Sequence, residues 1–294
     1  MVTAEAYAAC LRLARRHYEN FPVASRLVPG AMRPHIAAIY AFARTADDFA
    51  DEGARSDSER LALLDDWRAR LHTAAAGKPA AGDSDAGAIF VALADTIDRC
   101  RLDVQLFDDL LSAFRQDVVR HRYETWDDLL DYCRRSANPV GRLVLGVAGH
   151  TESTLHAPSD AMCTALQLVN FWQDLERDWL KGRVYVPASL LRACGANEID
   201  LDRKHLTPAW RDALSSAAHE TRMLFRAGWP IADAVQGRLR YELRATWLGG
   251  SRILDRLERR GFDVFRSRPS LGWRDLAPIA WRVVAWTAPR PLAA

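Results

Sequence analysis

Apolar residues recur at spacings of three and four along almost the whole chain, and runs that alternate apolar with polar residues are scarce. A 3.6-residue period places such residues on one face of a helix, whereas a strand needs a period of two, so the pattern predicts an all-α chain. Helices are expected near 4–19, 32–52, 57–75, 86–99, 103–121, 126–149, 157–180, 207–227, 229–246, 246–260 and 273–286. Pro139 falls inside the sixth of these, where its missing N–H beside Gly141 should kink or break the helix and free backbone carbonyls. The run TAAAGKPAAGDSDAG at 73–87 reads as a flexible surface connection and not a domain boundary, because helical patterning resumes directly after it. With 294 residues, 49% of them hydrophobic, the chain can bury one large core or two modest ones.

Charge and cysteine usage remove several classes. Forty Lys and Arg against 38 Asp and Glu leave a net charge of +2, without the basic excess of a nucleic-acid partner. Five cysteines with no CxxC pair argue against a disulfide framework or a thiolate metal site, and are read as reduced thiols. The first 21 residues lack the basic-then-apolar order of a signal peptide, so a cytoplasmic location is the expectation. No uncharged apolar run is long enough to span a bilayer. The nearest approach, LAPIAWRVVAWTAP at 276–289, is broken by Arg282 and two prolines. It reads either as a core helix or as an amphipathic surface that meets lipid at the inner face of the cell membrane.

The chemistry concentrates in two stripes. In YAFARTADDFAD, 40–51, residues Tyr40, Arg44, Asp47 and Asp51 fall within roughly 60° of one another on a helical wheel, with Asp48 about 60° to the side. Such a stripe is either a solvated acidic face with Arg44 as counter-ion or one half of a ligand site. In QLVNFWQDLERDWLKGRVYVP, 167–187, residues Gln167, Asn170, Asp174 and Asp178 lie within about 80°, while Leu168, Val169, Trp172 and Leu175 cover another side. Carboxylate and amide oxygens suit Mg²⁺, which shares substrate phosphates, and no Cys or His stands at zinc-ligand spacing in either stripe. Facing stripes would hold two or three Mg²⁺ against a diphosphate and neutralise it as it leaves, producing a carbocation. Arg44 and Arg183 are candidate anion clamps. Tyr40, Tyr132, Phe21, Phe171 and Trp172 are candidate shields for a cation, and all but Tyr40 read equally as core. No GxGxxG is present, and LGGSR at 248–252 is too short a signal for a nucleotide loop.

With HYENFPVAS (17–25), YCRRSANPVGR (132–142) and the two aspartate segments in this order, the chain resembles the squalene/phytoene synthase family of head-to-head prenyl synthases. The resemblance covers most of the chain and weakens toward the C-terminus. It implies a single all-α isoprenoid-synthase domain over 1–294 with a central cavity, and a prenyl diphosphate as substrate. It implies that Asp47, Asp51, Asn170, Asp174 and Asp178 bind Mg²⁺-diphosphate. It places His17, Asn20, Tyr40, Arg44, Gln167, Arg183 and, within GRVYVP, Tyr185 near the diphosphate or prenyl chain, and Tyr132 near the cation rearrangement.

Within the family the likeness is to bacterial hopanoid-pathway members, where three separate proteins make squalene. ENFPVAS, RRSANPVGR and NFWQD resemble the middle one, which takes presqualene diphosphate, expels diphosphate, rearranges the cation and lets water quench it to hydroxysqualene. That role implies functional coupling to a presqualene diphosphate synthase before it and a reductase after it. Where condensing members usually carry arginine, this chain has Gln173, which implies a weaker grip on a second diphosphate; the polar run before Pro139, with Asn138, would help position a water. The alternatives are a condensing synthase making presqualene diphosphate or squalene from farnesyl diphosphate, or phytoene from geranylgeranyl diphosphate, a metal-dependent diphosphate hydrolase, and an all-α interaction protein with decayed ligands. Neither stripe is broken, which speaks against the last.

Overall fold

The computed structural model describes residues 3–16, 27–78 and 85–287. Fifteen α-helices run through these residues, and no strand is formed among them beyond one isolated bridge between Arg122 and Val184. The chain divides into two compact units, residues 1–120 with 139–152, and residues 121–138 with 153–294.

The first unit packs α1 (Thr3–Arg16), α2 (Arg33–Asp51), α3 (Asp57–Ala75), α4 (Asp85–Cys100) and α5 (Gln105–Val119), with α2 touching all four others. Phe42 on the inner face of α2 explains this centrality, because its ring meets Trp67, Phe90 and Phe107 at centroid distances of 5.9, 6.1 and 5.5 Å. Helix starts follow local chemistry: Pro34 sits in the first turn of α2, and Ser56 and Glu59 form a capping box that opens α3. A half-buried polar knot ties α1, α2 and α4, in which the Tyr7 hydroxyl meets Asp95, Thr96 and His35 at 2.8, 2.9 and 3.0 Å. Burial drives the Tyr7 pKa up and the His35 pKa down, so both stay neutral there.

The second unit is built around α8 (His156–Gln173), against which α6 (Trp126–Ser136), α12 (Pro208–Gly228) and α14 (Gly237–Arg259) pack. Trp172 is fully buried and donates its indole N–H to Thr221 at 2.9 Å, and Trp247 donates to the Phe225 carbonyl at 2.7 Å. Large rings whose single polar atom is satisfied bury the most apolar area at the least cost. Gly228 sits where a Cβ would lie 2.7 Å from the Met162 backbone, so glycine sets how closely α12 approaches α8.

The break expected at Pro139 occurs, and three other expected elements come out differently. The helix expected over 126–149 divides into α6 and α7 (Asn138–Val147), and Pro139 falls in the first turn of the new helix, where its absent N–H does no harm. The helix expected over 157–180 divides at Asp174 into α8 and α9 (Leu175–Leu180). The pair expected to meet at residue 246 is one helix, α14, preceded by the short α13 (Ile231–Ala234) and an extended Val235; it runs through Gly249 and Gly250, and at Gly250 Leu166 and Phe225 crowd the space a side chain would need. Short helices α10 (Ala188–Cys194) and α11 (Ile199–Asp202) lie in a stretch where no helix was expected, below the length at which periodicity is readable. The last, α15 (Trp273–Val284), packs on α14.

Candidate active site

The first acidic stripe closes α2. Asp47, Asp48 and Asp51 are half-buried in its last turns and Glu52 is exposed just after it, at the helix end whose dipole already disfavours negative charge. Two arginines offset this. Arg60 caps the end, donating to the carbonyls of Ala50 at 2.5 Å and Gly53 at 2.8 Å. Arg44 reaches Asp47 at 3.1 Å, Asp48 at 2.6 Å and Glu52 at 2.8 Å. Burial works against the Arg44 charge, but the three carboxylates outweigh it and raise the pKa. Tyr40, one turn before Arg44, has its phenol pKa pushed up chiefly by burial, with Arg44 opposing and Asp48 and Asp47 adding to the rise. The structure therefore brings Arg44 together with Asp47 as expected, and draws in Asp48 as a second partner although it lies to the side of the wheel.

The second stripe survives the break in its helix. Asp174 has left helical geometry at φ −102° and ψ 13°, yet its N–H still bonds the Asn170 carbonyl at 2.8 Å and its own carbonyl accepts from Asp178 N–H at 2.8 Å. Asn170, Asp174 and Asp178 therefore remain stacked one turn apart. Asn170 is exposed, and Gln167, Asp174 and Asp178 are half-buried. The Asp178 carbonyl also accepts the Arg183 N–H at 2.8 Å, closing a turn over Gly182, which has φ +75° and so needs glycine. Beyond it, Val184 N–H donates to the His121 carbonyl and Ala188 N–H to that of Tyr123, which lays 184–188 beside 121–124.

That pairing assembles an aromatic group. Tyr185 stacks on Phe171 at 3.7 Å with planes 7° apart, and on Tyr123 at 5.7 Å. Tyr132 lies 5.4 Å from Tyr123 and 6.1 Å from both Phe171 and Tyr185. All four rings are buried. Their faces carry the negative quadrupole that attracts a cation, so the candidate shields Tyr132 and Phe171 sit with Tyr185 in one group, while Trp172 meets Phe171 edge-on at 6.4 Å and gives its indole N–H to Thr221. Tyr123 was not singled out from the sequence, because it lies outside both stripes and only the bridge at Val184 brings it in.

Asn138, at the start of α7, is buried and accepts a hydrogen bond from the Thr164 hydroxyl at 2.8 Å. Gln173 is buried with its side-chain amide donating to the Pro269 carbonyl. Next to it, Arg268 forms a two-pronged pair with Asp174, Nε to Oδ1 at 2.5 Å and Nη2 to Oδ2 at 2.9 Å. Arg268 also escaped the sequence reading, being 94 residues away from its partner. His17, Asn20 and Phe21 lie outside the described residues.

Among the described residues no three His, Cys, Asp or Glu side chains gather into a protein-only metal nest. The donors in the two stripes are carboxylate and amide oxygens at part-exposed positions, a set that fits Mg²⁺ bound through one or two carboxylates with substrate phosphates completing its shell.

Residues 14–275 match the family described as squalene/phytoene synthase. A hydroxysqualene synthase of Zymomonas mobilis is 42% identical over 75% of this chain and 72% of its own length. One of Sinorhizobium fredii is 37% identical over 86% of this chain and 83% of its own. Among solved structures, a squalene synthase from Alicyclobacillus acidocaldarius superposes with a TM-score of 0.81 at 40% identity, covering 88% of this chain and 95% of that one.

Proposed function

The chain belongs to the squalene/phytoene synthase family, and within it we propose that it is a hydroxysqualene synthase. The observation that carries this reading is its likeness, over most of its length, to relatives bearing that name. On this reading the whole chain, 1–294, acts as one isoprenoid-synthase domain on presqualene diphosphate. It is coupled to the synthase that supplies that substrate and the reductase that consumes the product, and works from the cytoplasm at the inner face of the membrane.

Asp47, Asp51, Asn170, Asp174 and Asp178 would hold Mg²⁺. When bound, the metal supplies positive charge to the departing diphosphate. Arg44 and Arg183 donate hydrogen bonds to phosphate oxygens, with Tyr40, Gln167, His17 and Asn20 completing the grip on substrate. The carbon–oxygen bond breaks with its electron pair leaving on diphosphate, and the cyclopropylcarbinyl cation rearranges against the faces of Tyr132, Phe171 and Tyr185. Water adds to the rearranged cation and releases a proton, giving hydroxysqualene and diphosphate. Asn138, already polarised by Thr164, orients that water. Gln173 supports the single-diphosphate substrate, because its neutral amide is spent on the Pro269 carbonyl where condensing relatives present a cation.

Squalene formation is the second reading, favoured by the 40% identical squalene synthase. Purified protein with Mg²⁺ is incubated with presqualene diphosphate and separately with farnesyl diphosphate, each with and without NADPH, and products are identified by mass spectrometry. Hydroxysqualene from presqualene diphosphate without NADPH is expected. Squalene appearing only with NADPH, or consumption of farnesyl diphosphate alone, overturns the reading.

A further inference from the structure

Ten large hydrophobic side chains are exposed among the described residues, and five of them lie between Leu271 and Val284. Trp273, Leu276, Trp281 and Val284 on α15 are 77%, 67%, 72% and 73% exposed. At 100° per residue, these four fall with the exposed Ala277 and Ala280 within an arc of roughly 140°, while Asp275, Ile279 and Val283 point to the opposite, inner side. Among the described residues the inner side is covered and the apolar outer arc is not.

The outer face is held out by construction. At the start of α15, Asp275 is buried, caps Gly272 N–H at 2.7 Å, and takes Arg252 at 2.5 Å and Arg256 at 2.6 Å. Just past its end, Trp286 stacks on Trp229 at 3.6 Å and donates to Asp233 at 3.2 Å, while Arg244 bonds the Val283 carbonyl at 3.1 Å. Both ends are clamped, so the apolar arc is a fixed surface, with an area of exposure that single scattered residues do not produce.

The exposed charges on α15 itself have one sign, while the exposed Asp233 beyond its end is paired with Arg244. Arg274 and Arg282 are exposed on α15, and the Arg274 guanidinium lies 5.2 Å from the Trp273 ring. The single acid of the helix, Asp275, is buried and neutralised by its two arginines. Trp273 lies near the middle of the arc and Trp281 at one edge, with Arg274 just beyond Trp281 and no acid on the arc itself, an arrangement that matches the layering of an anionic lipid surface: acyl chain, interfacial ring, phosphate. No described helix is long and apolar enough to cross a membrane, so the fit is to lying in the interface. We infer that α15 docks the protein onto an anionic bilayer, with Trp273, Leu276, Trp281 and Val284 entering the acyl boundary and Arg274, at the edge of the arc, meeting lipid phosphate. The inference deepens the membrane location in the proposed function, whose C30 substrate and product are lipid-soluble, but its test needs no turnover.

Full-length protein is sedimented with phosphatidylcholine vesicles and with vesicles of equal parts phosphatidylcholine and phosphatidylglycerol. The protein should pellet with the anionic vesicles, and Leu276→Ser/Trp281→Ser should weaken that binding at least about tenfold. Arg274→Gln should sharply reduce the preference for phosphatidylglycerol while leaving residual binding, and Arg282→Gln, on the far side of the helix, should reduce it less. Circular dichroism and the melting temperature of each variant report whether it folds, and hydroxysqualene formation in detergent micelles should be retained. Wild-type protein that stays in the supernatant with both vesicles overturns the inference, as does equal pelleting of the Leu276/Trp281 variant. A wild-type dimer in sedimentation velocity that this variant loses would give the face to a second copy and overturn it too. Loss of turnover with intact vesicle binding instead strikes the reaction assigned above.

Discussion

The Arg268 guanidinium lies flat on the Asp174 carboxylate, two nitrogens on two oxygens, in the middle of the stripe assigned to Mg²⁺. A guanidinium and a divalent cation would compete for the same lone pairs, so Arg268 holds the carboxylate in place and must yield it when Mg²⁺ binds. Arg268→Gln should then bind Mg²⁺ or Mn²⁺ alone several-fold more tightly by titration calorimetry. The metal-free protein should lose about 1–2 kcal/mol, because the pair is only partly exposed. Unchanged metal affinity in a folded variant would mean that the pair is structural and that Asp174 is not a ligand.

Asp47, Asp48 and Asp51 carry equal formal charge but separate by role. Asp48 is the closest partner of Arg44, at 2.6 Å, and so belongs to the local balance that keeps the acidic end of α2 helical. Asp47→Asn and Asp51→Asn should each lower kcat/KM by about a hundredfold or more, as expected when a charge aimed at a leaving group is removed. Asp48→Asn should cost less than about tenfold, with a stability loss of about 0.5–1 kcal/mol in urea melts. Equal losses of activity at all three positions would remove the distinction.

Asn138 and Thr164 share one buried hydrogen bond, and each leaves the other unpaired when removed. Asn138→Ala should cost about 1–3 kcal/mol by stranding the Thr164 hydroxyl. Asn138→Ala/Thr164→Val should recover part of that, since both partners leave together. Only variants lacking Asn138 should shift products from hydroxysqualene toward unquenched hydrocarbons, read by mass spectrometry. If Thr164→Val alone shifts them equally, the amide acts on products only through packing.

Pro139 and Asp174 mark where the sequence was legible and where it was not. A proline has its own steric rule, so the division of α6 from α7 was readable at the residue that causes it. Asp174 is an ordinary helical residue by propensity, and the helix opens there beside Arg268, a contact spanning 94 positions that no local pattern encodes. The stripes themselves were legible because i, i+4 backbone bonds preserve facing even across that opening. Gln173 was legible as an exchange of residue type, but its bond to Pro269 was not. The aromatic group was read in part: Tyr132 and Phe171 came from motifs, whereas Tyr123 enters through a bridge between segments 62 residues apart, Arg122 and Val184.

Asp275 gives the clearest dependence on pH. Its carboxylate accepts from Gly272 N–H and from Arg252 and Arg256, and these hold its pKa down to about 2, against about 3.9 in an unfolded chain. A carboxylate whose folded pKa is depressed adds stability that is fully present above the unfolded value and is lost as pH falls through the folded one. Wild type should therefore exceed Asp275→Asn in urea midpoint at pH 7 by an amount that stays constant down to about pH 5. The difference should then shrink from about pH 4 toward pH 2. Because Asp275 also clamps the start of α15, the same variant should show faster hydrogen exchange over 273–284 at pH 7. A midpoint difference that does not narrow in acid would show that the two arginines hold α15 by geometry and not by charge.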